Sequence, residues 1–329
     1  MEQRTVHGAR GRGISNAAGG IFVTEGQLKH ASGARSLLAG EARRDADVAA
    51  YRDAVSGLLA ELVGPSRYLT VETAERLLNR RLRENVFSAI FSALPKGPDA
   101  AVHRVISEVR CYRRNACSSA ENLPAMIRIA LLAQIDLLWW GHLLEYQYDA
   151  HVFGARELLH LEPLRQDNML LFRYRLQTTS TLGRIVRSAE RRAIPDRMPR
   201  TAGLRFPCAR SELIVVLNQI AQEFAAVAPR GTPPMWVTSL TRSVEHQRHL
   251  RSLGYAALLP SAHCVGYAAD LEMTWFRQFN ADKILQALLL HRQSMGELNV
   301  IDEGQAWHVC VRPGVGRALR LIPQQPTGI

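Results

Sequence analysis

Ser261 to Asp270, SAHCVGYAAD, places a histidine, a glycine and an aspartate at fixed offsets: His263, Gly266 and Asp270. A further histidine, His308, follows in QAWHVCV. Neutral imidazole and carboxylate are both zinc ligands, and a catalytic zinc site takes three protein ligands and keeps one position open. His263 and Asp270 are too far apart to share one helical face on adjacent turns. The spacing suits a turn that doubles back into a strand. Gly266 permits the bend, Asp270 enters the strand in AADLEM, and the small Ala268 and Ala269 let a metal or substrate approach the backbone. His308 lies in an apolar, β-prone run and projects from a neighbouring strand, so the three side chains meet only through tertiary folding. The chain has 11 His, and spacing alone leaves a structural role open for any of them.

The elements that must hold these residues can be read around them. Residues 211–227 form an amphipathic helix that PRGTPP breaks. MWVTSL follows as a strand. A helix begins at Ser243 with Glu245 in its first turn, where a negative charge suits the helix dipole. Asp282 to Met295 is helical, and LNVI and WHVCV are short strands split by DEGQ. This part is expected to be α+β, with helices on one side of a small antiparallel sheet.

Upstream, the pattern is helical. Apolar residues recur at helical spacing from Asp45 to Val63, and Pro65 ends the run. A second helix is expected from Val71 to Leu94, stopped by Pro95 and Gly97, and a third from Asp99 to about Arg114. Asn122 to Tyr146 is the longest apolar helix, and Thr181 to Arg192 is a further one. Four regions result: a flexible Gly/Ala/Ser/Arg-rich arm over 1–40, a helical domain over 41–193, a Pro/Gly linker over 194–203, and the His/Asp-bearing domain over 204–322. No catalytic or nucleotide-binding signature marks the helical domain; its role is not readable.

Bulk properties narrow the setting. The 329 residues carry a net charge of +11, mostly contributed before residue 201. A basic balance suits nucleic acid, anionic lipid or anionic cell-wall polymer. No dense basic run with interleaved aromatics occurs, however. All the basic residues except Lys29, Lys96 and Lys283 are Arg, which reads as a compositional bias and argues against nucleic acid. The five cysteines, Cys111, Cys117, Cys208, Cys264 and Cys310, are odd in number and form no C-x-x-C pair. That suits free thiols in a reducing compartment. No apolar signal region opens the chain, so a cytoplasmic location, or release on lysis, is expected. MIRIALLAQIDLLWWGHLL contains Arg128 and Asp136 and reads as a buried helix, with no membrane span.

SAHCVGYAAD matches S-x-H-x-x-G-x-A-x-D at every fixed position. That pattern resembles the zinc D-alanyl-D-alanine carboxypeptidase and dipeptidase family, which shares its fold with the hedgehog signalling domain. VTSLTRSVEHQRHL is similar to the family's strand–Arg–helix segment, with Arg242 at the substrate-facing position, and WHV is similar to its Trp-His strand. The three pieces keep the family order and span roughly Met235 to Val311. The resemblance implies Zn2+ on His263, Asp270 and His308, and a D-alanine-containing peptide or peptidoglycan stem as substrate. Ser261 would bind substrate or form the turn, and Gln305 and Trp307 would line the substrate site. One position departs from the family. Its general base, a Glu three residues before the second His, is Gln305 here, and a neutral amide takes no proton from water. Glu303 shares a side with Gln305 if the segment is extended and would stand in as base. If it does not, the resemblance implies a non-catalytic zinc-binding module.

Overall fold

The computed structural model describes residues 25–63 (side chains from 44), 69–114, 120–178, 198, 199, 201–304 and 306–315. The helix expected over 181–192, Pro65, Cys117, Gln305 and most of the linker lie outside them. The chain divides into two compact units, Met1–Arg44 and Asp45–Ile329. In the first, the described backbone is helical from Glu25, where a flexible arm was expected.

Five helices build one side of the second unit: α1 (Glu25–Val63), of which residues from Asp45 belong here, α2 (Val71–Arg81), α3 (Asn85–Ser92), α4 (Gly97–Cys111) and α5 (Leu123–Trp140). Val48, Tyr51, Val55, Leu58 and Leu62 of α1 face a shared core with Leu78, Phe87, Phe91 and Ile127. Tyr51 packs edge-to-face on Phe87, with ring centroids 5.5 Å apart, and its hydroxyl donates to the Leu131 carbonyl at 2.8 Å. The single helix expected from Val71 to Leu94 is two. At about 100° per residue, Phe91 would face away from Leu82 on one straight helix. The break at Leu82–Glu84 turns Phe87, Ile90 and Phe91 into the same core as Ala74, Leu78 and Leu82.

Helix α5 is apolar nearly all round because it packs between the helical core and the sheet, with none of its residues exposed. Asn122 caps it, accepting from the Ala125 N–H at 2.9 Å, and it stops at Gly141, short of Tyr146. Leu123, Ile127, Leu131 and Ile135 face the helical core, while Ala125, Met126 and Ile129 pack with Ile301 of the sheet. By length and hydropathy α5 would pass for a membrane span, yet 67% of it is buried inside the protein. Its two charges have protein partners: Arg128 donates to the Asp302 carbonyl at 2.6 Å, and Asp136 pairs with His308.

The sheet has the order β3 (Val237–Ser239), β4 (Ala268–Glu272), β6 (Ala306–Val311), β5 (Leu298–Asp302), all antiparallel. Its far face packs on helices covering Ser211–Val227 and Asp282–Ser294. Leu217, Ile220, Phe224, Leu285 and Leu289 there meet Leu271, Val300, Trp307 and Val309. The chain is α+β as expected, but helices cover both sheet faces. The Pro/Gly segment 194–203 does not divide the fold into two bodies, because α5 and the sheet share a core within one unit.

Candidate metal centre

Strand alternation decides which side chains reach the centre. On β4, Ala269 and Leu271 enter the core beneath the sheet, so Ala268, Asp270 and Glu272 face α5 and the cleft beside it. On β6, Trp307 and Val309 go down and His308 and Cys310 come up. Asp270 and His308 are direct cross-strand partners. Two small sites, Ala268 and Cys310, pack with Ala262 under Trp139 and Trp140.

His263 arrives on a 3-10 turn, Ala262–Val265. Ser261 caps the turn, its hydroxyl accepting from the His263 N–H at 3.3 Å, and Gly266 ends it at φ +82°. That left-handed conformation is one that glycine adopts without strain. A short two-stranded ladder, β1 (Leu158–His160) on β2 (Cys208–Arg210), buttresses the turn: the Arg210 N–H donates to the Gly266 carbonyl at 3.1 Å. The Arg242 N–H donates to the His263 carbonyl at 3.0 Å, tying the turn to the end of β3.

Three atoms converge. His263 Nε2 lies 3.1 Å from Asp270 Oδ1 and 3.1 Å from His308 Nδ1, and His308 Nδ1 lies 3.2 Å from Asp270 Oδ1. All three residues are buried and together could hold a metal ion. Donors about 2.0–2.2 Å from a tetrahedral ion stand about 3.3 Å from one another, so the triangle fits such an ion within a few tenths of an ångström. The outer ring nitrogens are also committed. His263 Nδ1 is 2.6 Å from the Leu240 carbonyl, which only accepts, so Nδ1 carries the proton and Nε2 offers its lone pair. His308 Nε2 donates to Asp136 Oδ2 at 2.8 Å, which leaves Nδ1 as the atom turned inward. Ligating histidines characteristically make such outer bonds.

The charges are tightly arranged. Burial, with the Arg242 charge, pushes His263 down to about 4. Burial also works against a charged His308, but the Asp136 and Asp270 carboxylates outweigh it and raise His308 to about 10. Asp270 is held well below the usual carboxylate range: burial opposes this, and His263 and Arg242 overcome it. Arg242 takes the second oxygen of Asp270 with Nη2, while its Nε donates to Ser239 Oγ at 2.8 Å and its Nη1 to Gln247 Oε1 at 3.1 Å. It thus orients the carboxylate as well as lining the cleft.

A cavity of about 40 Å³ opens over the triad, bordered by Arg242, Ser261 and Glu303. A larger cleft of about 350 Å³ shares Arg242, Asp270 and Glu303 with it and runs past His246 and Glu272. Of the residues expected from sequence, His263, Asp270, His308, Arg242, Ser261 and Glu303 therefore meet in one place. The regular strand does not continue past Glu303, since Gly304 turns at φ +83°, and Glu303 reaches the cleft from a hairpin. Asp302 accepts from the Gly304 N–H at 2.8 Å, a local turn bond. Trp307 is not at the cleft: it follows strand parity into the core on the opposite face from His308. Asp136 was missed as a site residue. Its signal was a carboxylate in an otherwise apolar helix, where burial demands a partner.

Compared with models of known protein families, with curated proteins and with solved structures, the chain matches none.

Proposed function

We propose that the protein is a zinc-dependent peptidase acting on D-alanine-containing peptides or peptidoglycan stem peptides. The observation that carries the reading is the triangle of His263 Nε2, Asp270 Oδ1 and His308 Nδ1, with both outer ring nitrogens already bonded to protein acceptors. Two imidazoles and one carboxylate are a donor set that suits zinc with one position open. Bound zinc supplies a Lewis acid that polarises a carbonyl and makes water nucleophilic near neutral pH. The substrate class rests on the resemblance of SAHCVGYAAD and its flanking pieces to the D-alanyl-D-alanine peptidases.

The chain's own residues divide the remaining work. Glu303 borders both the small cavity and the larger cleft, which supports giving its carboxylate the role of base, taking a proton from water and returning it to the leaving amine. Arg242 commits three N–H bonds to Ser239, Gln247 and Asp270. A guanidinium has five, so two remain for a substrate carboxylate or a developing oxyanion. Ser261 holds the His263 turn and borders the cavity.

A second reading, a zinc-containing binding module without hydrolysis, is favoured by Gln305 at the family base position. D-alanyl peptides assayed against wild type, Glu303→Gln and Gln305→Glu separate the two, with zinc content measured in each. The peptidase reading expects wild-type hydrolysis that Glu303→Gln abolishes while zinc stays bound. A zinc-loaded wild type inactive on every peptide, with activity gained in Gln305→Glu, would establish the binding module.

A further inference from the structure

We infer that Asp136 is a positioning residue of the metal centre, supplied by the helical layer and held in turn by Asn299 and Arg52. This rests on the metal reading of His263, Asp270 and His308.

The carboxylate of Asp136 is 3% exposed and spends its two oxygens on two donors. Oδ2 accepts from His308 Nε2 at 2.8 Å, and Oδ1 accepts from Asn299 Nδ2 at 2.8 Å. Asn299 is fully buried on β5, on the α5-facing side of the sheet. Its amide also donates to the Leu132 carbonyl, one helical turn before Asp136, at 2.9 Å. Its Oδ1 accepts from Arg52 Nη2 of α1 at 3.2 Å. A hydrogen-bonded path therefore runs from α1 through β5 and α5 to the inner ring of the centre.

The polarity of that path matters. A neutral imidazole carries its one proton on either of two nitrogens. Only a proton kept on Nε2 leaves Nδ1 for the ion, and an anionic acceptor at Nε2 enforces that choice. Asn299 enforces the next link. With its amide nitrogen facing Asp136, it can only donate there, so the group at 136 must accept on both sides. A carboxylate does so and a carboxamide does not. A buried ion pair kept only for packing would have no need of this donor order. Asp136 also adds negative charge beside a cationic site and raises the ligand's basicity.

The experiment titrates the full-length chain with Zn2+, and separately with Co2+, against a chromophoric chelator. The variants are Asp136→Ala and Asp136→Asn. Asp136→Ala and Asp136→Asn should each weaken Zn2+ binding about 10–100-fold, the range for lost outer partners of ligating histidines. Ring 15N shifts of metal-loaded wild type should show Nδ1 bound and Nε2–H retained. Should Asp136→Ala fail to fold, the isosteric Asp136→Asn carries the test. A folded Asp136→Asn with wild-type Zn2+ affinity overturns the inference and leaves the metal reading standing. A wild type that binds neither metal overturns both.

Discussion

Gly266→Ala tests whether the turn that delivers His263 is built as described. Gly266 sits at φ +82°, and a left-handed non-glycine residue costs about 1–2 kcal/mol. The new methyl would also lie 2.7 Å from Leu158 Cδ2. Leu158 is buried, so its side chain must leave its preferred rotamer, at about 0.5–1.5 kcal/mol. Fewer unfolded conformations return about 0.4–1 kcal/mol. The expected net loss is about 0.5–3 kcal/mol. Gly231→Ala is the control. Gly231 has φ +83° and nothing within 4 Å of the added methyl, so it carries the backbone cost without the clash. Urea unfolding of the metal-free chain, followed by tryptophan fluorescence, should rank Gly266→Ala below Gly231→Ala. A double-mutant cycle with Leu158→Ala should recover about the clash term. Gly266→Ala should also weaken Zn2+ binding, because the displaced turn carries His263. The reasoning is refuted if Gly266→Ala costs less than about 0.5 kcal/mol, or no more than its control.

Three further outcomes follow from the same structure. Residues 204–329 expressed alone should neither unfold cooperatively nor hold Zn2+, because they lack α5, which covers Ile301 and supplies Asp136. A folded fragment with full-length affinity would contradict that. His246, on the cleft wall, is pushed down to about 4 by burial and by Arg242 and Arg205. It should titrate by NMR near 4, and its contribution to stability should be complete above its unfolded value of about 6.5 and lost as pH falls through about 4; a midpoint at 6 or higher would reject this environment. Arg242→Lys should loosen Asp270 and weaken Zn2+ binding several-fold, since an ammonium cannot hold Ser239, Gln247 and Asp270 in one plane. Unchanged affinity would leave Arg242 no part in orienting the ligand.

The centre was largely legible because its signals are local. Ser261, His263, Gly266 and Asp270 belong to one turn and one strand, and β-prone WHVCV puts His308 on the next strand. Strand parity also had the means to exclude Trp307: neighbours on a strand face opposite ways, so a residue beside His308 points away from the centre. What stayed hidden depends on long-range packing. Asp136 and His308 are 172 residues apart, and nothing in either neighbourhood names the other. The second covered sheet face follows from α5 packing on β5, which the apolar run from Met126 to Leu144 announces only as burial. The break near Leu82 was readable in principle, because the buried residues on its two sides do not share a helical stripe.

The central claim is tested most directly by the metal content of the purified full-length chain, measured by elemental analysis after equilibration with Zn2+ and removal of excess. The account predicts about one Zn2+ per chain in wild type, as a three-ligand site requires, and loss of that ion in both His263→Ala and Asp270→Ala. A wild type that retains no zinc, or variants that keep the full complement, would contradict it.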